Sequence, residues 1–372
     1  MSRPFHCPVQ VLTGRPYTEA ITDLLAGKRW ALATSAGWTR RGAVDAFRRT
    51  VGEPEAVIDA IPPNPRVADV RSLTELLPEV DTVVALGGGS VIDAAKGLVG
   101  LQALKGDSAA LMAHLRDGAD LPEKFHPATI IAVPTTSGTG SEETPWATIW
   151  GDDNVKFSFN HPTLYPSHAV LDPTLCASMP EDVTLSSGLD ALSHAMESIW
   201  NNNNTPVSDE LASRAIQTLR MSLRNAVENP QDIRLRSEIQ VAALLSGLAM
   251  GTTQTALAHS ISYPFTAHFG MPHGFACSFT LSEVARYNIA EDADRLTPIA
   301  VGMRCNVDEI PDALDKWFAD LDVGRHVLSY VSPDVTDQLG DNLITRARAA
   351  NNLRSIDGAK AREIARTALE RF

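Results

Sequence analysis

The chain has 372 residues, 44% of them hydrophobic and 21% charged, the composition of a soluble globular protein of about two domains. Its formal net charge of −13 argues against a nucleic-acid-binding or anionic-membrane surface, and no apolar run is long enough to cross a bilayer. The start, "MSRPFHCPVQ", lacks the basic-then-apolar layout of a signal peptide, and Cys7, Cys176, Cys277 and Cys305 form no CxxC pair, so reduced thiols and a cytoplasmic location are expected.

In chain order, "RWALAT" (29–34), "AVIDAI" (56–61), "DTVVAL" (81–86), "ATIIAV" (128–133) and "HAVLD" (168–172) read as buried strands. Between them "RRGAVDAFRRT", "ADVRSLTELL" and "VIDAAKGLVGLQAL" read as helices, which predicts a mostly parallel sheet covered on both faces. After about residue 182 the β-branched runs disappear. "TLSSGLDALSHAMESIW", "PVSDELASRAIQTLRMSLRNAV" and "IRLRSEIQVAALLSGLAM" have helical spacing, and Pro206 is placed to open a helix. The expected fold class is an α/β domain, residues 1–182, followed by an all-α domain, residues 183–372, with the cleft between them as the natural place for a ligand.

"DTVVALGGGSVIDAAKG" (81–97) places three glycines and a serine between the third of these strands and a helix carrying Asp93 and Lys96. Glycines at such a junction let backbone N–H groups approach an anion, and the helix start adds partial positive charge. The run is not GxGxxG and does not follow the first strand, so it departs from the usual dinucleotide fingerprint. A second small, hydroxyl-rich loop, "PTTSGTGS" (134–141), follows the next strand. Two such loops at strand C-terminal ends suit one ligand with an extended phosphate and ribose portion, or else are structural turns.

Asp190 and His194 stand four apart in "GLDALSHAMES", on one helix face. They can chelate one divalent cation or form an ordinary surface hydrogen bond; the pair alone favours the second. "LAHSISYPFTAHFGMPHGFA" adds His259, His268 and His273, which moves the balance toward a metal. One Asp and two or three His suit Fe(II) or Zn(II) with a position left open for substrate.

Together "GGGSVIDAAKG", "PTTSGTGSE", "LDPTL", "GLDALSHAMES" and "HSISYPFTAHFGMPHG" resemble the iron-containing (group III) alcohol dehydrogenases, from about "PNP" at 63–65 to "ARYN" at 285–288. The resemblance implies the dehydroquinate synthase-like fold, an N-terminal nucleotide-binding α/β domain and a C-terminal helical domain. It implies Asp190, His194, His259 and His273 as metal ligands, with His268 in a supporting or structural place. It implies Gly87, Gly88, Gly89 and Ser90 at the pyrophosphate and Asp93 on the same cofactor-binding segment. Thr135, Thr136, Ser137 and Thr139 would lie along the nucleotide and nicotinamide, with Lys156 closing over the cofactor. The candidate catalytic residues are Tyr263 and His273.

Two departures from the family pattern carry information. Members that prefer NAD have an acidic residue after the first strand; here "RWALATSAGWTRR" puts Ser35 there, with Arg40 and Arg41 behind it. A serine with nearby guanidiniums accepts a 2′-phosphate that a carboxylate would repel, so NADPH is expected over NADH, unless the arginines are only solvated surface charges. Tyr263 stands where many members have a further histidine, and a phenol is the poorer proton shuttle near neutrality. In this respect "HSISYPFTAHFG" is similar to the phosphonoacetaldehyde reductase branch. That branch implies reduction of phosphonoacetaldehyde to 2-hydroxyethylphosphonate in phosphonate natural-product (antibiotic) biosynthesis. Lys156, His161 and Arg354 are candidates for the phosphonate by composition. A homo-oligomer, in the form of a dimer, is expected, with no nucleic-acid or membrane partner. The competing readings are a general short-chain alcohol/aldehyde dehydrogenase, a lyase of the dehydroquinate synthase type with Glu at the Asp190 position, and a cofactor-binding protein without catalysis.

Overall fold

The computed structural model describes residues 4–153 and 155–372. The chain divides into two compact units, one of residues 7–136 and 141–176, the other chiefly of residues 177–372 together with 137–140.

The first unit is built on a six-stranded parallel sheet. Its strands are β1 (Gln10–Leu12), β2 (Trp30–Ala33), β3 (Ala56–Ile58), β4 (Thr82–Gly87), β5 (Thr129–Pro134) and β8 (His168–Val170). Their order is β1-β8-β5-β4-β2-β3. Helices α1 (Tyr17–Leu25), α2 (Ala36–Arg40), α3 (Ala43–Thr50), α4 (Val67–Thr74), α5 (Gly89–Ala103) and α6 (Ser108–Asp117) make the connections. The two-residue period of the strands explains why both faces need covering. Ala31, Val83, Ala85, Ile130 and Ala132 enter one apolar core, while Leu32, Val84, Leu86, Ile131 and Val133 enter another. Five strands fall where the sequence places them. The three-residue β1, only partly buried, was not anticipated, so the glycine-rich turn follows the fourth strand of the chain and Ser35 follows the second. Also unanticipated is an antiparallel hairpin of β6 (Trp146–Trp150) and β7 (Lys156–Asn160). Phe157 and Phe159 point inward on β7 while Ser158 and Asn160 are exposed.

This topology selects one edge of the sheet for a ligand. β2 runs on to β3 on one side and β4 to β5 on the other, so their connections diverge at the strand C-termini, the place where open α/β sheets bind ligands. β4 and β5 stay in register to Gly87 opposite Pro134, so the two small-residue loops begin side by side.

The second unit is helical. α7 (Glu181–Ile199), α8 (Pro206–Glu228) and α9 (Ile233–Thr253) are followed by α10 (Leu257–Phe269), α11 (His273–Ser278) and α12 (Leu281–Ile289), with shorter helices to the C-terminus. α8 starts where Thr205 Oγ1 accepts from the Ser208 N–H at 3.1 Å and Pro206 fills the first turn. α9 starts where Asp232 accepts from the N–H groups of Arg234 and Leu235. α7 is buried on all sides from Gly188 to Ile199, which fixes any side chain it carries. Among the described residues no single helix is long and apolar enough to cross a membrane.

Candidate active site

α7 carries Asp190 and His194 one turn apart, and both side chains are buried. α10 brings His259 and α11 brings His273 to the same place. The Nε2 atoms of His194, His259 and His273 lie 3.7, 3.5 and 4.0 Å from one carboxylate oxygen, Asp190 Oδ1. These separations are long for hydrogen bonds but close to the about 3.4 Å between ligand atoms that tetrahedral bonds of about 2.0–2.1 Å require. Asp190 Oδ1 and His259 Nε2 are buried without any hydrogen-bond partner. A buried carboxylate oxygen with no donor, facing three imidazole nitrogens, is a donor set that fits a divalent metal.

The bonds behind the cluster set the ring orientations. His194 Nδ1 lies 3.2 Å from the Gly138 carbonyl, and His259 Nδ1 lies 2.7 Å from Glu197 Oε2. Donation from each Nδ1–H leaves the Nε2 lone pair free to ligate. Glu197 also accepts from the N–H groups of Ala256 and His259, so it ties the start of α10 to α7. Burial alone would raise its carboxyl, but His259 and those N–H groups hold it below its ordinary range. Asp190 follows the same logic: burial opposes ionisation, and the three imidazoles overcome it, so the group is an anion. Burial pushes His194 below its ordinary value despite Asp190, which favours the neutral ring that a metal ligand must be.

Two glycines let the backbone come this close. A Cβ on Gly138 would stand 2.3 Å from the Ser187 carbonyl oxygen, and one on Gly274 would stand 1.8 Å from that of Ser186. Residues 137–140 therefore pack with α7, and the Gly138 carbonyl reaches His194. The His273 side chain is 34% exposed whereas those of Asp190, His194 and His259 are at most 5%, so the cluster opens on the His273 side. Tyr263 is half-buried one turn beyond His259 on α10, and His268 is exposed.

Of the other predicted residues, Ser137, Thr139 and Arg354 belong to the helical unit and the rest to the first unit. Gly87 ends β4, Gly88 and Gly89 lead into α5, and a Cβ on Gly88 would stand 3.1 Å from the Thr136 side chain, so the two loops are in contact. Thr135 N–H donates to the Gly87 carbonyl at 3.0 Å, and Trp38 Nε1 donates to Thr135 Oγ1 at 3.2 Å. Ser35 opens α2, Arg40 in its last turn is exposed, and Arg41 lies over the Trp38 ring at 5.1 Å. The stretch after β2 thus meets the loop after β5. Ser90 Oγ accepts from the Asn64 N–H. Asp93 points inward: it accepts from Ser141 Oγ at 2.5 Å and the Thr148 N–H at 2.8 Å. Lys156 opens β7 opposite Trp150. Ser137 is buried and Thr139 half-buried in the segment that packs with the helical unit. His161 accepts from the Thr163 N–H beside Phe125, and Arg354 stacks on Tyr287 at 4.3 Å while donating to its carbonyl.

Residues 8–173 match the iron-containing alcohol dehydrogenase family, and residues 184–369 match its C-terminal region. The chain belongs to the iron-containing alcohol dehydrogenase family. It is 35% identical to the phosphonoacetaldehyde reductase of Streptomyces viridochromogenes, with 78% of this chain and 70% of that one covered. It is 32% identical to the 1,3-propanediol dehydrogenase of Klebsiella pneumoniae, covering 80% and 78% of the two chains. Among solved structures it resembles the sulfoacetaldehyde reductase of Bifidobacterium kashiwanohense in complex with NAD+, with a TM-score of 0.89, 26% identity and 99% of each chain covered. The protein is thus an oxidoreductase, a metal-dependent alcohol/aldehyde dehydrogenase by family.

Three residues of this dehydrogenase's site went unread in the sequence. Glu197 meets His259 on α10 and Trp38 meets Thr135 after β5, partners 62 and 97 residues away that no local spacing points to. Cys277 is the third. Its Sγ lies 3.5 Å from both ring nitrogens of His273, and the signal was the H-x-x-x-C interval within "HGFACS".

Proposed function

We propose that the protein reduces phosphonoacetaldehyde to 2-hydroxyethylphosphonate with NADPH, using Fe(II) or Zn(II) held by Asp190, His194, His259 and His273. In this reading residues 1–182 bind the dinucleotide and 183–372 the metal, in a cytoplasmic homodimer. The observation that carries it is the convergence of three Nε2 atoms on the unpartnered Asp190 Oδ1. When bound, the cation supplies Lewis acidity toward the carbonyl and the reduced nicotinamide supplies the hydride.

The chain's own residues do the rest. Gly138 and Glu197 keep the Nε2 lone pairs of His194 and His259 aimed inward, and His273, on the open side, borders the incoming aldehyde. Tyr263 Oη holds the proton that the product alkoxide takes up, in exchange with solvent. The backbone of Gly87, Gly88, Gly89 and Ser90 receives the pyrophosphate at the start of α5, a segment that Asp93 anchors to Ser141 and Thr148. Thr135, Thr136, Ser137 and Thr139 line the cofactor, Lys156 closes over it, and Ser35 with Arg40 accepts the 2′-phosphate. The likeness to reductases of phosphonoacetaldehyde and sulfoacetaldehyde, both small aldehydes with an anionic tail, supports the substrate class.

The test compares phosphonoacetaldehyde with propanal, each with NADPH and with NADH, by loss of reduced-nicotinamide absorbance. A kcat/KM at least about tenfold higher for the phosphonate with NADPH supports the assignment, a gap of about 1.4 kcal/mol. The likeness to 1,3-propanediol dehydrogenase favours a second reading, a general short-chain enzyme. A preference for propanal would establish that reading and remove the phosphonate.

A further inference from the structure

We infer that Cys277 is a ligand of the metal centre, giving this site a thiolate donor beside its imidazoles and carboxylate. The inference rests on the metal reading above. Ligand atoms of Asp190, His259, His273 and Cys277 all lie within 4.8 Å of one another, a group of four donors around one point that could hold a metal ion after a small inward shift. Cys277 is fully buried and sits one turn after His273 on α11, on the same face, with Sγ 3.5 Å from both nitrogens of that ring. The sulfur is therefore beside the cluster rather than in a separate apolar pocket. Asp190 Oδ1, at a residue 4% exposed, has no hydrogen-bond partner and faces the three imidazoles, so an ion suits this spot apart from the cysteine.

The step is simple. The S–H bond breaks, its proton leaves to solvent, and the sulfur lone pair forms the bond to the cation, with no change in oxidation state. A soft thiolate added to imidazole and carboxylate donors favours Zn(II) over Fe(II). Cys277 thereby bears on which metal this protein retains.

The experiment loads the full-length apoprotein with Co(II) and records its absorption spectrum for wild type, Cys277→Ser, Cys277→Ala and Asp190→Asn. Zinc affinity follows by competition with a chromophoric chelator. Wild type should show a thiolate-to-cobalt charge-transfer band in the near ultraviolet as well as the visible ligand-field bands. Cys277→Ser and Cys277→Ala should keep the ligand-field bands, lose the charge-transfer band and bind zinc at least about tenfold more weakly. Asp190→Asn should bind no cobalt. Visible bands without a charge-transfer band in wild type, or a charge-transfer band that survives in both Cys277 variants, overturn the thiolate and leave the metal site standing. Wild type that takes up no cobalt overturns both.

Discussion

Two aspartates on long helices, Asp93 half-buried and Asp190 buried, sit in opposite situations. Asp93 on α5 accepts from Ser141 and Thr148, and its neighbour Lys96 donates to the Ser141 carbonyl, Ser141 Oγ and the Trp146 carbonyl at 2.6–3.0 Å. Every charge there is answered from within the protein. Asp190 on α7 faces three imidazoles at 3.5–4.0 Å with one oxygen unbonded. The buried Glu143 oxygens also lack partners, but burial and the nearby Glu142 push that carboxyl up, the opposite direction from Asp190. A buried charge that is satisfied is architecture; one that is left open, and still ionised, marks a ligand.

The contrast can be broken at either end. Asp190→Asn or His259→Ala should abolish metal retention and lower turnover by about a thousandfold or more, since Lewis-acid stabilisation is worth several kcal/mol. Metal analysis and aldehyde-dependent oxidation of the reduced cofactor would check this, and full activity in metal-depleted buffer would contradict it. Lys96→Met should act the other way round, costing about 1–3 kcal/mol of stability by leaving the Ser141 and Trp146 carbonyls without their donor while the purified protein keeps its metal. Urea unfolding followed by metal analysis separates the two effects.

Glu197→Gln keeps the shape behind His259 but removes the charge, and metal affinity should fall about 10–100-fold. Chelator competition measures it, and an unchanged affinity would show that the Glu197–His259 contact serves only to anchor α10. The last effect is one of pH. Lys96 is lowered from 10.5 to about 8 in the folded protein, chiefly by burial. Between those values the unfolded chain holds a proton that the native state lacks, so this group's contribution to stability rises with pH across about 8 to 10.5 and is flat below. Lys96→Met should lack that rise in unfolding curves taken at several alkaline pH values.

The strands were legible because Val83/Val84 and Ile130/Ile131 alternate between two cores that both need filling. β1 was not, because three half-exposed residues carry too little apolar content to stand out from a loop. The histidine cluster could be read as a metal site through the family resemblance and the count of histidines, since His259 and His273 come from different helices and no local pattern says they converge. The "PTTSGTGS" run shows the opposite limit. Thr135 and Thr136 stay with the sheet, but Gly138 is required where the backbone meets Ser187 on α7, a reason that no local pattern contains. Asp93 and Asp190 look alike in sequence. Only the partners of their oxygens tell them apart.

The most direct measurement is anomalous diffraction at the zinc and iron edges from crystals of metal-loaded protein. The expected result is a single peak about 2.0–2.2 Å from Asp190 and from Nε2 of His194, His259 and His273, and about 2.3 Å from Cys277 Sγ. A peak elsewhere, or rings turned so that Nδ1 faces the ion, would contradict the metal centre on which the proposed reduction depends.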